Sequence, residues 1–259
     1  MKRILHLIFL LAAFVTTGNA GHAQEKSIRL MSYNIRNGKG MDGIRNLDRV
    51  AATIERYMPD VVALQEVDSM TTRSGKQDVA AILGSKCRMK HFYSKAIDFD
   101  GGGYGIAVLC RRRPIAIERI PLPGREEKRT LLIVEFRDFV FADMHLSLTE
   151  ADRDASLPVI LKALERYGRN KPVFIAGDWN TEPNSRYIAE LLKHFDIISD
   201  TTVDTFPADN PTVTIDYIAV DLNSRAAIEC DASVINEPLA SDHRPVLVNV
   251  TFTKYKKVE

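Results

Sequence analysis

Six apolar, β-branched runs, each closed by a short polar cluster, constrain this chain more than any other feature. The clusters carry Asn34, Glu66, His145, Asp178 with Asn180, Asp216, and Asp242 with His243. A short run rich in Val, Ile and Phe reads as a buried strand. Strands that end this way deliver carboxylate, amide and imidazole groups to one sheet edge, so the six clusters are expected to form a single site.

Ser27 to Asn34 is read as the first strand. Asn46 to Met58 is an amphipathic helix, with Leu47, Val50, Ala51, Ile54 and Met58 on one face and Pro59 ending it. Val61 to Gln65 is an apolar strand ending at Glu66, and a helix around Gln77 to Leu83 follows a polar loop. Gly105 to Cys110, Ile115 to Ile120, Thr130 to Phe136 and Phe139 to Met144 are short, β-branched and separated by turns, including Pro121 to Gly124. This is the pattern of an antiparallel or mixed sheet. A helix from Glu150 to Tyr167, a strand from Pro172 to Ala176 and a helix near Arg186 to His194 come next. Val213 to Val220, Ala226 to Val234 and Val246 to Phe252 make a second set of strands. Two packed sheets with helices outside them are the expected architecture.

With 259 residues, 45% of them apolar, the chain can bury one large core, and one domain is expected over residues 24–259. Residues 1–23 read as a secretory signal. Lys2 and Arg3 precede an apolar stretch from Ile4 to Val15, and small and polar residues lead to Ala20 and Ala23, either of which suits cleavage. That stretch is shorter than the roughly 20 apolar residues a membrane helix needs. A periplasmic or secreted monomer without stable membrane insertion is therefore expected. Cleavage would remove Lys2 and Arg3 and leave 33 basic against 34 acidic residues, so no strong electrostatic attraction to nucleic acid follows. Cys87, Cys110 and Cys230 fit neither a disulfide framework nor a zinc site, and Cys110 and Cys230 are read as inert core residues. No cysteine follows the apolar stretch, which argues against a lipid anchor.

The strings MSYNIRNG around Asn34, ALQEVD around Glu66, FADMHLS around His145, IAGDWN around Asp178, TIDYI around Asp216 and SDHRPV around Asp242 resemble the endonuclease/exonuclease/phosphatase superfamily. Any one string is weak, but six in the right order between Arg29 and Thr251 are specific. The resemblance implies a deoxyribonuclease-like α/β fold, a four-layered sandwich of two packed mixed β-sheets flanked by helices. It also implies hydrolysis of a phosphate ester with a divalent cation, normally Mg²⁺, with Mn²⁺ as the alternative.

Attack on a phosphate ester needs neutralised oxygens, an activated water and tolerance of charge on the leaving oxygen. Glu66 is the leading metal ligand, because Mg²⁺ is satisfied by one or two carboxylates together with waters and the substrate's phosphate. Asn34 is expected beside it, positioning metal-bound water or a phosphate oxygen. Asp178 and Asn180 share a face if the strand persists to its end. The family implies that Asp178 orients or deprotonates the attacking water while Asn180 holds a non-bridging oxygen. His243 is assigned to phosphate contact with Asp216 as its carboxylate orienter, its role as acid, base or charged donor being open. His145 should bind the phosphate from the opposite side, as the family's matching histidine does, and Asp242 is a candidate for a second metal position.

Taken singly, these residues have plainer readings: Gly177 to Asn180 as a strand-to-loop turn, Glu66 as a helix cap, His145 as a satisfied core histidine. Asp68, Arg73 and Tyr104 are expected on loops beside the site, with Arg73 and Tyr104 as substrate contacts. Arg73 either clamps an anionic substrate or is an ordinary solvated arginine. Gly101 to Gly103 reads as a flexible loop, and Lys86, Arg88 and Lys90 as a solvated face.

The superfamily cleaves DNA, phosphoinositides, sphingomyelin and nucleotides with much the same residues, so the loops decide the substrate. Near-neutral charge and short connections expected around Asp178 and Asp216 disfavour a DNA groove. The preferred reading is a secreted Mg²⁺-dependent phosphodiesterase whose partner is a small or lipid-linked phosphate-ester substrate. A secreted nuclease acting on DNA or RNA is the second reading, and a catalytically silent binding module the third. Phe206 and Pro207 with Trp179 either form an apolar wall beside the scissile group or pack internally.

Overall fold

A computed structural model describes residues 25–168 and 171–253, and the secretory signal expected over residues 1–23 lies outside the described residues. In chain order the strands are β1 (Glu25–Asn34), β2 (Val61–Ser69), β3 (Lys90–Phe99), β4 (Gly102–Cys110), β5 (Ala116–Leu122), β6 (Arg129–Glu135), β7 (Val140–His145), β8 (Val173–Asp178), β9 (Phe195–Ile197), β10 (Asp216–Asp221), β11 (Ile228–Val234) and β12 (Val246–Thr253). The helices are α1 (Leu47–Tyr57), α2 (Val79–Lys86), α3 (Glu150–Leu164), α4 (Arg186–Leu191) and α5 (Leu222–Arg225). Helix α1 starts where Asn46 accepts from the N–H groups of Asp48 and Arg49, and it ends at Met58 in a left-handed cap.

The strands form two six-stranded sheets, ordered β11-β12-β1-β2-β4-β3 and β5-β6-β7-β8-β10-β9. Both are mixed, because β1 runs parallel to β2 and β7 parallel to β8 while their other pairings are antiparallel. One apolar layer lies between the sheets and includes Ile28, Leu30, Val61, Phe141, Phe174 and Ile218. A second packs α1 and α2 under the first sheet through Met31, Tyr33, Val50, Ile54 and Leu83. A third packs α3 and α4 under the second sheet through Met144, Ile160, Ile175, Ile188 and Tyr217. The result is the four-layered α/β sandwich that the resemblance implies.

Alternation along each strand explains where polar groups go. In β1, Ile28 and Leu30 face the other sheet, so with a period of two Ser32 and Asn34 continue that inner face. The same parity carries His145 at the end of β7, Asp178 at the end of β8 and Asp216 at the start of the antiparallel β10. Deep inner positions are apolar and the tips are polar, so the sheets pack tightly below and open into a polar cleft above.

Several elements differ from the sequence reading. The sequence reading did not include β3 and β9. Strand β3 is a sheet edge carrying Lys90, His91 and Lys95, and charge on an edge suppresses pairing with other chains while hiding the strand's apolar period. Pro121 lies inside β5, not in a turn, as an edge strand allows. The last two strands do not join β10 in a second set: β12 pairs with β1, which puts β11 and β12 in the first sheet. Cys230 is exposed on edge strand β11, whereas Cys87 and Cys110 are buried. The connection into Asp216 is long, covering residues 198–215 with only an isolated Phe206–Val213 bridge, so the expected short loop is not found.

Candidate active site

Register brings the expected residues together. Asp178 stands opposite His145 in the parallel β7–β8 pair and opposite Asp216 in the antiparallel β8–β10 pair, so one carboxylate is flanked on both sides within its own sheet. Gly177 permits that geometry: its φ is 148°, and a Cβ there would fall 1.8 Å from the Met144 carbonyl oxygen. From the facing sheet, Asn34 at the tip of β1 donates its amide to Asp178 Oδ2 at 3.0 Å and to Glu66 Oε1 at 3.2 Å. Asn34 Oδ1 accepts from the Arg36 N–H, so Asn34 presents donors to the site and positions two carboxylates.

Glu66 does not end its strand. Strand β2 bulges between Leu64 and Val67, and Glu66, with φ at 57°, is turned out of the ladder into the cleft. Burial pushes its carboxyl above the ordinary range, Asn34 opposes that shift and Asp242 adds to it. A carboxylate desolvated and held near another acid fits a divalent cation, whose arrival would favour the ionised form.

His243 lies in the loop before β12, and its Nδ1 donates to Asp216 Oδ2 at 2.9 Å, an oxygen that also accepts from Thr205 Oγ1 at 2.6 Å. Burial alone would lower the His243 pKa, but the charges of Asp216 and Asp178 outweigh it and hold the imidazole at about 10. At neutral pH His243 is an imidazolium with Nε2 3.7 Å from Asp178 Oδ2. Burial raises the Asp178 carboxyl well above its usual range against the pull of His243. Ligand atoms of Asp178, Asp216 and His243 lie within 4.8 Å of one another. Because Nδ1 of His243 is bonded to Asp216 and its ring is cationic, this trio offers a cation no free imidazole nitrogen, whereas the Glu66 carboxylate faces the cleft.

His145 is the electrostatic opposite of His243. Burial, then the Arg129 charge, lower its pKa well below 6.5, so it is neutral. Arg129 Nη1 donates to its Nδ1 at 3.1 Å, which leaves the proton on Nε2, 3.5 Å from Asp178 Oδ2. Arg129 is itself paired with Glu127 at 2.8 Å. The sequence reading did not include Arg129. The β6–β7 register gives no direct signal for it: counting back from the Glu135–Val140 pair sets Thr130 opposite His145 and Arg129 opposite Leu146, so the contact depends on the reach of the Arg129 side chain.

Other expectations shift. Asn180 does not share a strand face with Asp178, because β8 stops at Asp178 and Asn180 is left-handed with φ at 50°. Its backbone N–H instead holds Asp178 Oδ1 at 2.9 Å, and its Nδ2 donates to the Leu146 carbonyl, also at 2.9 Å. Asp68 and Tyr104 sit on paired positions of β2 and β4, not on loops, and Tyr104 is buried. Arg73 is on a loop but grips Asp68 through two 2.8 Å contacts and stacks over Phe99. Asp242 pairs with Arg36 Nε at 3.1 Å. Trp179 forms no wall: it is fully buried and stacked on Tyr217, whereas Phe206 does lie against the His243 ring, 4.8 Å between centroids.

A family model for the endonuclease/exonuclease/phosphatase family matches residues 31–243. The chain belongs to that family. It is a phosphoric ester hydrolase. No curated protein sequence matches it significantly. Among solved structures, an endonuclease/exonuclease/phosphatase family protein from Bacteroides thetaiotaomicron is 18% identical with a TM-score of 0.73, covering 88% of this chain and 99% of that one. A mannosyl-6-phosphatase from the same organism is 18% identical with a TM-score of 0.69, covering 86% and 99%. The human Nocturnin catalytic domain, solved with bound sulfate, is 20% identical with a TM-score of 0.67, covering 88% and 94%. At these identities the likeness shows the fold.

Proposed function

We propose that this protein is a secreted, Mg²⁺-dependent phosphodiesterase that cleaves a small or lipid-linked phosphodiester by in-line attack of water. The observation that carries this reading is the setting of Asp178, a buried carboxylate within 3.0 Å of the Asn34 amide and 3.5 and 3.7 Å of two histidine Nε2 atoms in opposite charge states. A carboxyl raised by burial is a competent base near neutral pH, and Asp178 takes the proton of the attacking water. Cationic His243 and the Nε2–H of neutral His145 then hold the non-bridging phosphate oxygens as charge grows on them. Asn34 keeps Asp178 and Glu66 in place, and Asp216 keeps the His243 ring oriented. Glu66 would hold the Mg²⁺, which supplies Lewis-acid stabilisation of the phosphate and the leaving oxygen.

The mannosyl-6-phosphatase among the similar structures supports a compact ester, so monoester cleavage is measured alongside. Bis-p-nitrophenyl phosphate, p-nitrophenyl phosphate and supercoiled plasmid are each assayed with Mg²⁺ and with chelator, using wild type and Asp178→Asn. Diester turnover that needs Mg²⁺ and falls by about 10² or more in the variant supports the reading. Wild-type rates in Asp178→Asn sink it, and efficient plasmid nicking at low enzyme replaces the small substrate with nucleic acid.

A further inference from the structure

Beyond Glu66 the cleft opens into a second pocket of about 420 Å³ whose walls carry Arg36, Lys39, Arg45 and Arg73. The four cations are not equally satisfied. Arg36 is paired with Asp242 and Arg73 with Asp68. Arg45 donates Nε to the Asn37 carbonyl at 2.9 Å and Nη1 to Gln77 Oε1 at 3.0 Å, but its Nη2 is buried with no partner. Lys39 is exposed and forms no ion pair among the described residues. Arg45 and Lys39 therefore have no carboxylate in direct contact among the described residues, the carboxylate charge acting on Arg45 being that of the Asp68 that Arg73 already grips, and both stand beside Glu66.

The loop that shapes this pocket is strained. Arg36 and Asn37 are consecutive non-glycine residues with φ of 44° and 48°, and Gly38 follows at 81°. Such conformations persist where the surroundings enforce them, and they cluster at ligand-binding sites. Arg73 is fixed by stacking over Phe99 and by its grip on Asp68, so it lends the pocket a fixed charge.

We propose that this pocket receives a second, non-scissile phosphate of the substrate, making the preferred substrate a compact molecule that bears two phosphate groups. The proposal rests on the phosphoesterase reading above and narrows it. Two cations without a carboxylate in contact suit the charge of about −2 on a phosphate monoester near neutral pH, the Lys39 ammonium supplying a charge-assisted hydrogen bond and the Arg45 guanidinium, with one donor unpaired, turning toward the bound anion.

The test is calorimetric titration of the protein with Mg²⁺ present, in the Asp178→Asn background so that ligands are not consumed. Two matched pairs are compared: thymidine 3′,5′-bisphosphate with thymidine 5′-monophosphate, and glucose 1,6-bisphosphate with glucose 6-phosphate. In at least one pair the bisphosphate should bind about tenfold tighter, the low end for a charge-assisted contact. Lys39→Ala, a surface change, and Arg45→Met should each erase that advantage while leaving monophosphate affinity in place. Equal affinity within both pairs, or an advantage that survives both substitutions, overturns the proposal. Affinity that keeps rising along a series of thymidine oligonucleotides overturns the compact substrate in favour of a polymer. Hydrolysis of bis-p-nitrophenyl phosphate by the wild type reads the underlying activity separately, so loss of the bisphosphate preference in an active enzyme condemns the pocket alone.

Discussion

Replacing Asp216 by Asn takes a charge out of the cleft while leaving an oxygen for the Nδ1–H of His243, 2.9 Å away. In the native site the imidazole is held at about 10, against the desolvation that would lower it, by Asp216 first and Asp178 second. Set against the ordinary value near 6.5, that is roughly 5 kcal/mol of preference for imidazolium, shared between two carboxylates. Without Asp216, His243 should titrate near neutrality or below. A group whose folded pKa is raised stabilises the fold fully below its unfolded value and loses that contribution as pH climbs through the folded one. The stability gap between wild type and Asp216→Asn should therefore be widest near pH 6, at about 4 kcal/mol, and should narrow as pH rises toward 10. Asp216 Oδ1 has no partner, so the new amide group adds a penalty that does not vary with pH. Urea unfolding across this range separates the two parts, and imidazole ¹⁵N shifts followed with chelator present give the titration directly. Wild-type His243 titrating near 6.5, or a titration unmoved by the substitution, would refute the imidazolium assignment.

Three further outcomes are expected. Glu66→Ala should raise the Mg²⁺ concentration for half-maximal activity by about tenfold or more, since it removes the carboxylate best placed for the cation; an unchanged Mg²⁺ dependence would move the cation elsewhere. Arg129→Met deletes the donor to His145 Nδ1, so the ring can carry its proton on the wrong nitrogen, and turnover should drop about tenfold with Mg²⁺ dependence intact. Unaltered ¹⁵N shifts for His145 in that variant would show that Arg129 does not set the tautomer. Gly177→Ala sets a Cβ 1.8 Å from the Met144 carbonyl oxygen, in a backbone region L-residues avoid, and should cost at least about 3 kcal/mol in thermal or chemical unfolding. A native-like melting temperature would mean that β7 and β8 are not so closely apposed.

The parts of the fold legible in the sequence are those where burial writes a pattern. Strands β1, β2, β7 and β8 are buried on both faces, so their apolar runs stand out, and the polar residue closing each run marks the cleft. Helix α1 was readable for the same reason, with Asn46 and Pro59 as its punctuation. What was not legible depends on partners distant in sequence. Strands β3 and β9 sit at sheet edges, where half the backbone faces solvent and side-chain alternation blurs. That β12 would pair with β1 cannot be read from either strand alone, because both present acceptable faces to several neighbours. Among site residues, Asp178, Asp216, His243, His145, Asn34 and Glu66 were found because each interrupts an apolar run. Arg129 and Thr205 interrupt nothing conspicuous, and they act by holding His145 and Asp216 through side-chain contacts that only the folded structure reveals.

The alternation that packs the sheets also tunes the site. Inner-face positions along β1, β2, β7 and β8 run from apolar residues through a polar belt, where Gln65 Nε2 donates to Asp143 Oδ1 at 2.6 Å, to the catalytic tips. Burial drives Asp143 well above the ordinary carboxyl range, and it pushes Asp178 and Glu66 in the same direction. Desolvation is therefore a property of the whole inner face, and the tips differ in what opposes it. Asp178 and Asp216 share one cation, His243, while Glu66 faces the cleft with only an amide donor and no cation in contact. Counted over these four residues, three carboxylates face one imidazolium, and Glu66 is the one with no cation in contact among the described residues. On the proposed reading, a divalent cation held there would offset the excess negative charge and draw in an anionic phosphate, whose oxygens would meet the donors of His145 and His243. Stability and catalysis make opposite demands on the same carboxylates: the cleft pairs two of them with an imidazolium, and the third is left free to take the cation that the proposed reaction needs.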